Sequence, residues 1–274
     1  LKVVDEAVDV TTYKITASNN SADNVDVWVE NIVYHANGIN ALLHSPWGDF
    51  EIVSPFLGAF NLSNLVAVIT CLGALGYPIT KIISEIPTLN AVAGRMHRIT
   101  SIVGTEPNEK KNCSVPSVDD VTVVVDYAHT PDALQQALLA MRLHMNGQLW
   151  CLFGCGGDRD QGKRAQMGKV AERYADHVIV TSDNPRSESA SSIIDEILSG
   201  INRPSFVEED RGKAIEFVIA NAEAGDSVLI AGKGEEEYQQ IGNQRLPFSD
   251  IKQVQSALSK RLSSSVTNSY GLCR

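Results

Sequence analysis

Four times between residues 121 and 236 an apolar run ends in a polar or glycine-rich loop that leads into a helical pattern. Val121-Thr-Val-Val-Val125 meets Asp126-Tyr-Ala-His129-Thr-Pro131, and Leu149-Trp-Cys-Leu-Phe153 meets Gly154-Cys-Gly-Gly-Asp158-Arg159-Asp160. Val178-Ile-Val180 meets Ser182-Asp183-Asn184-Pro185-Arg186, and Ser227-Val-Leu-Ile-Ala231 meets Gly232-Lys233-Gly234-Glu235-Glu236. Short β-rich runs alternating with helices build βαβ units and a parallel sheet, so an α/β fold is expected. Each loop then leaves the carboxyl end of its strand, the edge where open α/β sheets bind ligands. Arginines, acids and glycines far apart in sequence should meet there at one site.

Composition narrows the function classes. A chain of 274 residues with 43% hydrophobic content can bury a sizeable core and fits about two domains. A net charge of −10 argues against a nucleic-acid surface, which needs a basic face. No apolar run approaches the ~20 residues of a membrane span, and no signal-peptide pattern opens the chain. Leu1 is not an initiator methionine, and the chain is expected to begin inside a longer protein. Cysteines at 71, 113, 151, 155 and 273 are odd in number and form no CxxC pair, which fits a reducing compartment.

Residues 1 to about 54 read as strands and hairpins. Val25, Val27 and Val29 alternate with Asp26, Trp28 and Glu30, Asn37-Gly38 is a hairpin signal, and Pro46-Trp47-Gly48-Asp49 is a second turn. A helix is expected from about Asn61 to Leu75, with Leu62, Leu65, Val66, Ile69 and Leu72 as its apolar stripe. Another begins near Pro78, with Ile79, Ile82, Ile83 and Ile86 inward. The domain boundary is placed at 93/94: a truncated first domain over 1–93, a second over 94–258, and a flexible serine-rich tail over 259–274. In the second domain Thr130-Pro131 is a helix start, and Leu134, Ala137, Leu138, Met141 and Met145 form one face up to Gly147. Met167, Val170, Ala171 and Tyr174 mark the next helix, and Ile193, Ile194, Ile197 and Leu198 another. A further one, capped by Asp210, turns Ala214, Ile215, Val218 and Ile219 inward.

Several motifs are near misses. The stretch from Gly157 to Arg164 nearly fits the phosphate loop G-x4-G-K-[ST], but Arg164 stands where a magnesium-binding hydroxyl is required, and Asp158 and Asp160 put negative charge where phosphates should lie. Gly154-x-Gly156 opens a dinucleotide fingerprint whose third glycine position is Arg159. Arg159 and Arg186 each follow a strand of the same sheet, and two guanidiniums on one edge suit a ligand with carboxylates. Surface salt bridges with Asp158, Asp160 or Glu188 are the alternative. Glu235 and Glu236 add an acidic counterpart suited to a zwitterion. Asp126 and His129 could orient a ribose or phosphate, or Asp126 could cap its turn. The histidines show no metal spacing, Cys151 reads as core, and Lys163, Arg164, Lys169 and Arg173 read as a solvated helix face.

Gly94-Arg-Met96, Asp126-Tyr-Ala-His-Thr-Pro-Asp132, Phe153-Gly-Cys-Gly-Gly-Asp-Arg-Asp160, Asp183-Asn-Pro-Arg186 and Gly232-Lys-Gly234 together resemble the Mur ligases of peptidoglycan synthesis, over residues 49 to 250. Asp-Asn-Pro-Arg marks the diaminopimelate-adding members of that family. The resemblance implies the end of a central ATP-binding domain followed by a Rossmann-like carboxy-terminal domain with a mostly parallel sheet. It also implies a cytoplasmic ligase that uses ATP and Mg2+ to convert a UDP-N-acetylmuramoyl dipeptide's carboxylate into an acyl phosphate. The amine of meso-diaminopimelate then attacks. Partners are these small molecules, with no nucleic acid or membrane, and a monomer is expected. Carried over by position, Arg159, Asp183, Asn184, Pro185, Arg186, Gly232 and Glu236 would hold diaminopimelate, and Asn61, Asn64, Arg95, Asp126 and His129 would face ATP. No metal ligand is assigned. The sequence departs from the family at Glu235, where histidine is usual, and at His97, where glutamate is. The family's phosphate loop and carbamylated lysine have no match, so the main catalytic groups are expected upstream and the chain alone is expected to be inactive. A folylpolyglutamate synthase-like ligase and a non-catalytic remnant or binding module are the other readings.

Overall fold

A computed structural model describes residues 13–15, 26–99, 121–204 and 206–270, with side chains over 26–99, 121–204 and 206–263. Val25 and the remaining stretches of the amino-terminal strand reading lie outside the described residues. The chain divides into two compact units, Leu1–Asn90 and Ala91–Arg274.

In the first unit, β1 (Tyr13–Ile15), β2 (Val27–His35), β3 (Gly38–Ser45) and β4 (Gly48–Ser54) form one sheet in that order, β1 parallel to β2 and the rest antiparallel. The two expected turns join β2 to β3 and β3 to β4. Alternation sends Val27, Val29, Ile39, Leu43 and Ile52 to one face, where they pack on Leu62, Val66 and Ile69 of α1 (Ala59–Ala74). Helix α2 (Ile79–Glu85) follows Pro78. Its Ile79, Ile82 and Ile83 are only partly buried, and Ile86, in the 3-10 turn after it, is the residue that reaches the core.

In the second unit the order is β5 (His97–Ile99), β6 (Thr122–Asp126), α3 (Pro131–Leu143), β7 (Leu149–Phe153), α4 (Gly162–Tyr174), β8 (His177–Val180), α5 (Ala190–Leu198), β9 (Phe206–Val207), α6 (Arg211–Asn221) and β10 (Ser227–Ala231). The hairpin β11 (Tyr238–Ile241) and β12 (Gln244–Pro247) and then α7 (Asp250–Tyr270) complete it. The six-stranded sheet runs β5-β6-β10-β7-β8-β9, parallel except for β5. β10 and β7 are buried along their whole length, as strands covered on both faces must be. Val123, Val125, Leu152 and Ile230 meet Ile215, Val218 and Val254 from α6 and α7 in the core. Each such side chain, fully removed from water, contributes ~1.5–3 kcal/mol.

Register fixes where the loops emerge. Ala231 lies beside both Asp126 and Phe153, and Phe153 beside Val180, so four strands end in one row and their loops share one edge. The opposite end is pinned by Asp226, whose carboxylate accepts from Gln148 N, Trp150 Nε1 and Glu223 N. Burial favours its neutral form, but these donors outweigh that and hold the carboxyl below the usual range.

Two helix ends differ from expectation. α3 stops at Leu143, four residues before Gly147, so Met145 belongs to the following turn. Residues 259–270, where the sequence shows no periodicity, continue α7. Ser259 and Ser263 bond to carbonyls four residues back, and Arg261 donates to Ile219 O and Ala222 O at the end of α6. The helix is secured by polar contacts that an apolar-period reading does not register.

Candidate functional site

The four loops enclose a cavity of about 520 Å³. Arg159, Asp183, Asn184, Arg186, Gly232, Glu236 and His129 line it, joined by Tyr127, Thr130, Cys155, Asp160, Lys163 and Tyr238. Pro185, Arg95 and Asp126 do not.

The cavity keeps its shape because its loops are tied to each other. The 156–161 loop is stapled to the 184–188 loop: Gly157 N donates to Asn184 O, Ser187 N and Oγ donate to Asp158, and Asp158 N donates to Glu188. A side chain at Gly157 would come within 1.9 Å of Pro185 O, so only glycine permits this approach. The hairpin β11–β12 holds the same loop from its other side. Arg186 N donates to Gln240 O, Gly242 N donates to Arg186 O, and Gln239 Nε2 reaches Ser182 Oγ and Asp183 O. These bonds keep Arg186 at φ 52°, a left-handed conformation uncommon outside glycine. Gly232, at φ 117°, brings the fourth loop against Asp183, whose Oδ2 is 2.8 Å from where a Cβ would stand.

Two buried arginines form the frame. Arg164, expected on a solvated helix face, is fully buried on α4. It donates to both oxygens of Glu188, to Glu196 and to Gly156 O. Hydrogen bonds to Glu188, opposed by burial, raise its pKa. In return Arg164 first, and Asp158 N–H next, lower the Glu188 carboxyl to about 2. Glu188 is thereby occupied with Arg164, which removes it as a partner for Arg159 or Arg186. Arg211 pairs with Asp250 at 2.8 Å through two nitrogens and donates to Ser182 O and Ala231 O, joining the ends of β8 and β10 to the start of α7. Burial opposes its charge, but Asp250 outweighs burial and its pKa is raised. Lys169 and Arg173 do face solvent, whereas Lys163 donates to His129 O at 2.8 Å.

Among the described residues the two arginines at the cavity itself, Arg159 and Arg186, form no ion pair with the protein. Arg159 donates to Asp158 O, and Arg186 to Gly157 O at 2.7 Å. The expected alternative of salt bridges with Asp158, Asp160 or Glu188 is therefore not what these residues form. Asp160 accepts from Gly162 N at the start of α4, Asp183 from Asn184 N, and Glu236 from Asn184 Nδ2 and the buried Lys233. Three cations and three carboxylates thus share one cavity, an arrangement matched to a zwitterion with several charges of each sign. Glu235 is exposed beside it. Burial raises the Cys155 thiol to about 12, and that of core Cys151 likewise, so neither supplies a thiolate.

The residues expected to face ATP divide between the units. On α1, Asn61 Nδ2 donates to Leu57 O and Asn64 is exposed. In the second unit Asp126 accepts from Ala128 N and Met96 N, both at 2.8 Å, so it caps its own turn and anchors the chain before β5. Arg95 stacks on the Tyr127 ring at 4.2 Å, and His129 meets the same ring edge-on at 4.6 Å. This flat, partly cationic face can take a heteroaromatic base. Burial holds the half-buried His97 below its ordinary pKa. Among the described residues no group of three or more His, Cys, Asp or Glu is placed to hold a metal ion, and no helix is long and apolar enough to cross a membrane.

Residues absent from the sequence-based site are Lys233, Lys163, Tyr127, Tyr238, Gln239 and Gln240. Ile241-Gly242-Asn243 carried a usable hairpin signal. The lysine between Gly232 and Gly234 carried none that separates it from a surface residue.

Residues 113–234 match the family described as Mur ligase, glutamate ligase domain, and residues 2–72 the Mur ligase middle domain, together more than half of the chain. Over 222 residues the chain is 47% identical to UDP-N-acetylmuramoyl-L-alanyl-D-glutamate–2,6-diaminopimelate ligase of Haemophilus influenzae, covering 80% of this chain and 42% of that protein. It therefore spans less than half the length of the curated relatives it matches. A solved structure of a ligase of the same name superposes with a TM-score of 0.68 at 38% identity, covering 92% of this chain and 48% of that one. Folylpolyglutamate synthase from Thermotoga maritima, at 19% identity and TM-score 0.54 over 76% of this chain and 44% of its own, shares the fold.

Proposed function

Because this chain belongs to the Mur ligase family, we propose that it carries the amino-acid site of a ligase that joins meso-diaminopimelate to the glutamyl carboxylate of UDP-N-acetylmuramoyl-L-alanyl-D-glutamate, with consumption of ATP. The observation that carries this reading is the cavity holding Arg159 and Arg186 free of protein carboxylates, with Glu236 and Asn184 beside them. Diaminopimelate has two ammonium and two carboxylate groups. The guanidiniums answer carboxylates by planar, bidentate geometry, and Glu236 answers an ammonium. Asp183, Pro185 and Gly232 shape the loops that present these groups.

The second amine is the nucleophile in this reading. ATP with magnesium would supply activation: the carboxylate oxygen would take the γ-phosphoryl group with release of ADP, and the amine, having lost a proton, would form the C–N bond by displacing phosphate. The chain's own part is to hold the amino acid by its far end, so that the reacting amine is presented in a fixed direction. The Arg95–Tyr127–His129 face of the second unit fits the base of a nucleotide, with Asp126 holding the turn; Asn61 and Asn64, on α1 of the first unit, are taken separately as candidates for nucleotide contact. The reaction belongs to the cytoplasm, where these substrates are made.

Titration calorimetry of this chain with meso-diaminopimelate, L-lysine and L-glutamate tests the proposal. Diaminopimelate should bind most tightly. A preference for glutamate would favour a folylpolyglutamate synthase-like ligase, and binding of none of the three would favour a non-catalytic module.

A further inference from the structure

Lys233 is wholly buried, bonded to the cavity-lining Asn184 and Glu236. An ammonium taken out of water must be paired and hydrogen-bonded to be tolerated. Its Nζ donates to Asn184 Oδ1 at 3.0 Å and to Glu236 Oε2 at 3.1 Å, and the Tyr238 ring centroid lies 5.7 Å away. Asn184 Oδ1 accepts a second bond, from Gln240 N at 2.9 Å, while its Nδ2 donates to Glu236 Oε2 at 2.8 Å.

The inventory of donors and acceptors now decides orientation. An amide oxygen has two lone pairs and its nitrogen two hydrogens. Both lone pairs of Asn184 are taken by Lys233 and Gln240. Turning the amide over would set its NH2 against two donors and its oxygen against a carboxylate. The side chain therefore has one orientation and keeps one N–H for the cavity. Glu236 uses Oε2 twice, and among the described residues its Oε1 has no hydrogen-bond partner. A fixed neutral donor thus stands beside a fixed anionic acceptor.

We infer that Lys233 is a positioning residue that sets the Asn184 N–H and Glu236 Oε1 as a matched pair for the carboxylate and ammonium of one amino-acid head. The inference rests on the reading of this cavity as the amino-acid site. With an apolar residue at 233, the inner oxygen of Glu236 loses its cation and keeps only the Asn184 bond, and Asn184 Oδ1 keeps only Gln240 N, so the pair is held less firmly.

The test is calorimetric titration of meso-diaminopimelate into the unsubstituted chain, Lys233→Met, Glu236→Gln and the double variant, with circular dichroism confirming the fold. Each single substitution should raise Kd at least about tenfold, as expected when one member of a buried charge pair is lost. The double variant should be about as weak as the weaker single one, because the two residues act as one unit. An unchanged Kd in folded Lys233→Met, or losses that multiply in the double variant, would overturn the inference while leaving the functional reading intact. No binding by the unsubstituted chain would overturn the functional reading and this inference with it. Should Lys233→Met fail to fold, NMR of the unsubstituted chain decides. The two Asn184 amide protons, assigned against Asn184→Asp, should give separate signals, of which one moves on adding ligand. Equal movement of both, or of neither, counts against the inference.

Discussion

Replacing Arg186 with alanine should separate recognition from support. The loop's main-chain bonds to Gln240 and Gly242 are made by groups that alanine keeps, and alanine bears the same φ of 52° as arginine does. What disappears is the guanidinium, with its bond to Gly157 O and, on the proposed reading, its pairing with a carboxylate of diaminopimelate. Leaving a buried charge without its partner costs ~2–5 kcal/mol. Arg186 is only partly buried and Arg159 lines the same cavity, so the lower part of that range applies. A loss of at least ~1.4 kcal/mol, tenfold in Kd for meso-diaminopimelate, is expected. L-Lysine lacks the carboxylate at that end and should lose far less. Titration calorimetry of both amino acids against both chains gives the ratio. Equal losses for the two ligands would make Arg186 a support for the 156–161 loop and refute the recognition argument.

Glu188→Gln should lower the melting temperature at neutral pH. The Glu188 carboxyl is lowered from 4.5 to about 2 in the folded chain, so its stabilisation is full above about 4.5 and is lost as pH falls through about 2. Melting curves of the two chains should accordingly converge over that window, and a constant gap would show that the pair with Arg164 is not responsible. Asp250→Ala strands the buried Arg211 and should cost ~3–5 kcal/mol in urea unfolding, whereas Arg211→Met with Asp250→Leu should recover much of that loss. ATP binding by this chain should be weak and come from the adenosine end, through the Arg95–Tyr127–His129 face. Calorimetry should give similar affinities for adenosine and ATP, and a large preference for ATP would place a phosphate site among these residues.

The sheet was legible because burial on both faces writes strands as continuous apolar runs, and the loops were legible because they interrupt those runs with glycine, proline and charge. The same logic put Arg159, Arg186 and Glu236 in loops after strands, and the structure brings those loops to one cavity. It failed for β5 and β9, at three and two residues too short to carry a period. Length also hid the order of the sheet: nothing in the residues 227–231 says that β10 enters between β6 and β7, since register and neighbours are decided by packing over distant segments.

Charge at helical spacing misled for a physical reason. Lys163, Arg164, Lys169 and Arg173 look alike in sequence, and two of them do face water. Arg164 is buried because Glu188 and Glu196, from the loop before α5 and from α5 itself, come to it across a fold the local pattern cannot represent. Arg211 and Lys233 repeat the case: each buried cation finds its carboxylate on a different element or at the turn of a loop, and each also holds a carbonyl oxygen of a segment bearing cavity-lining residues. The arginines that line the cavity sit on loops held in place by cations that do not line it. Substitution of the second kind should therefore disturb binding without touching the ligand, and such residues are to be sought where a basic side chain is buried between two loops at the carboxyl edge of the sheet.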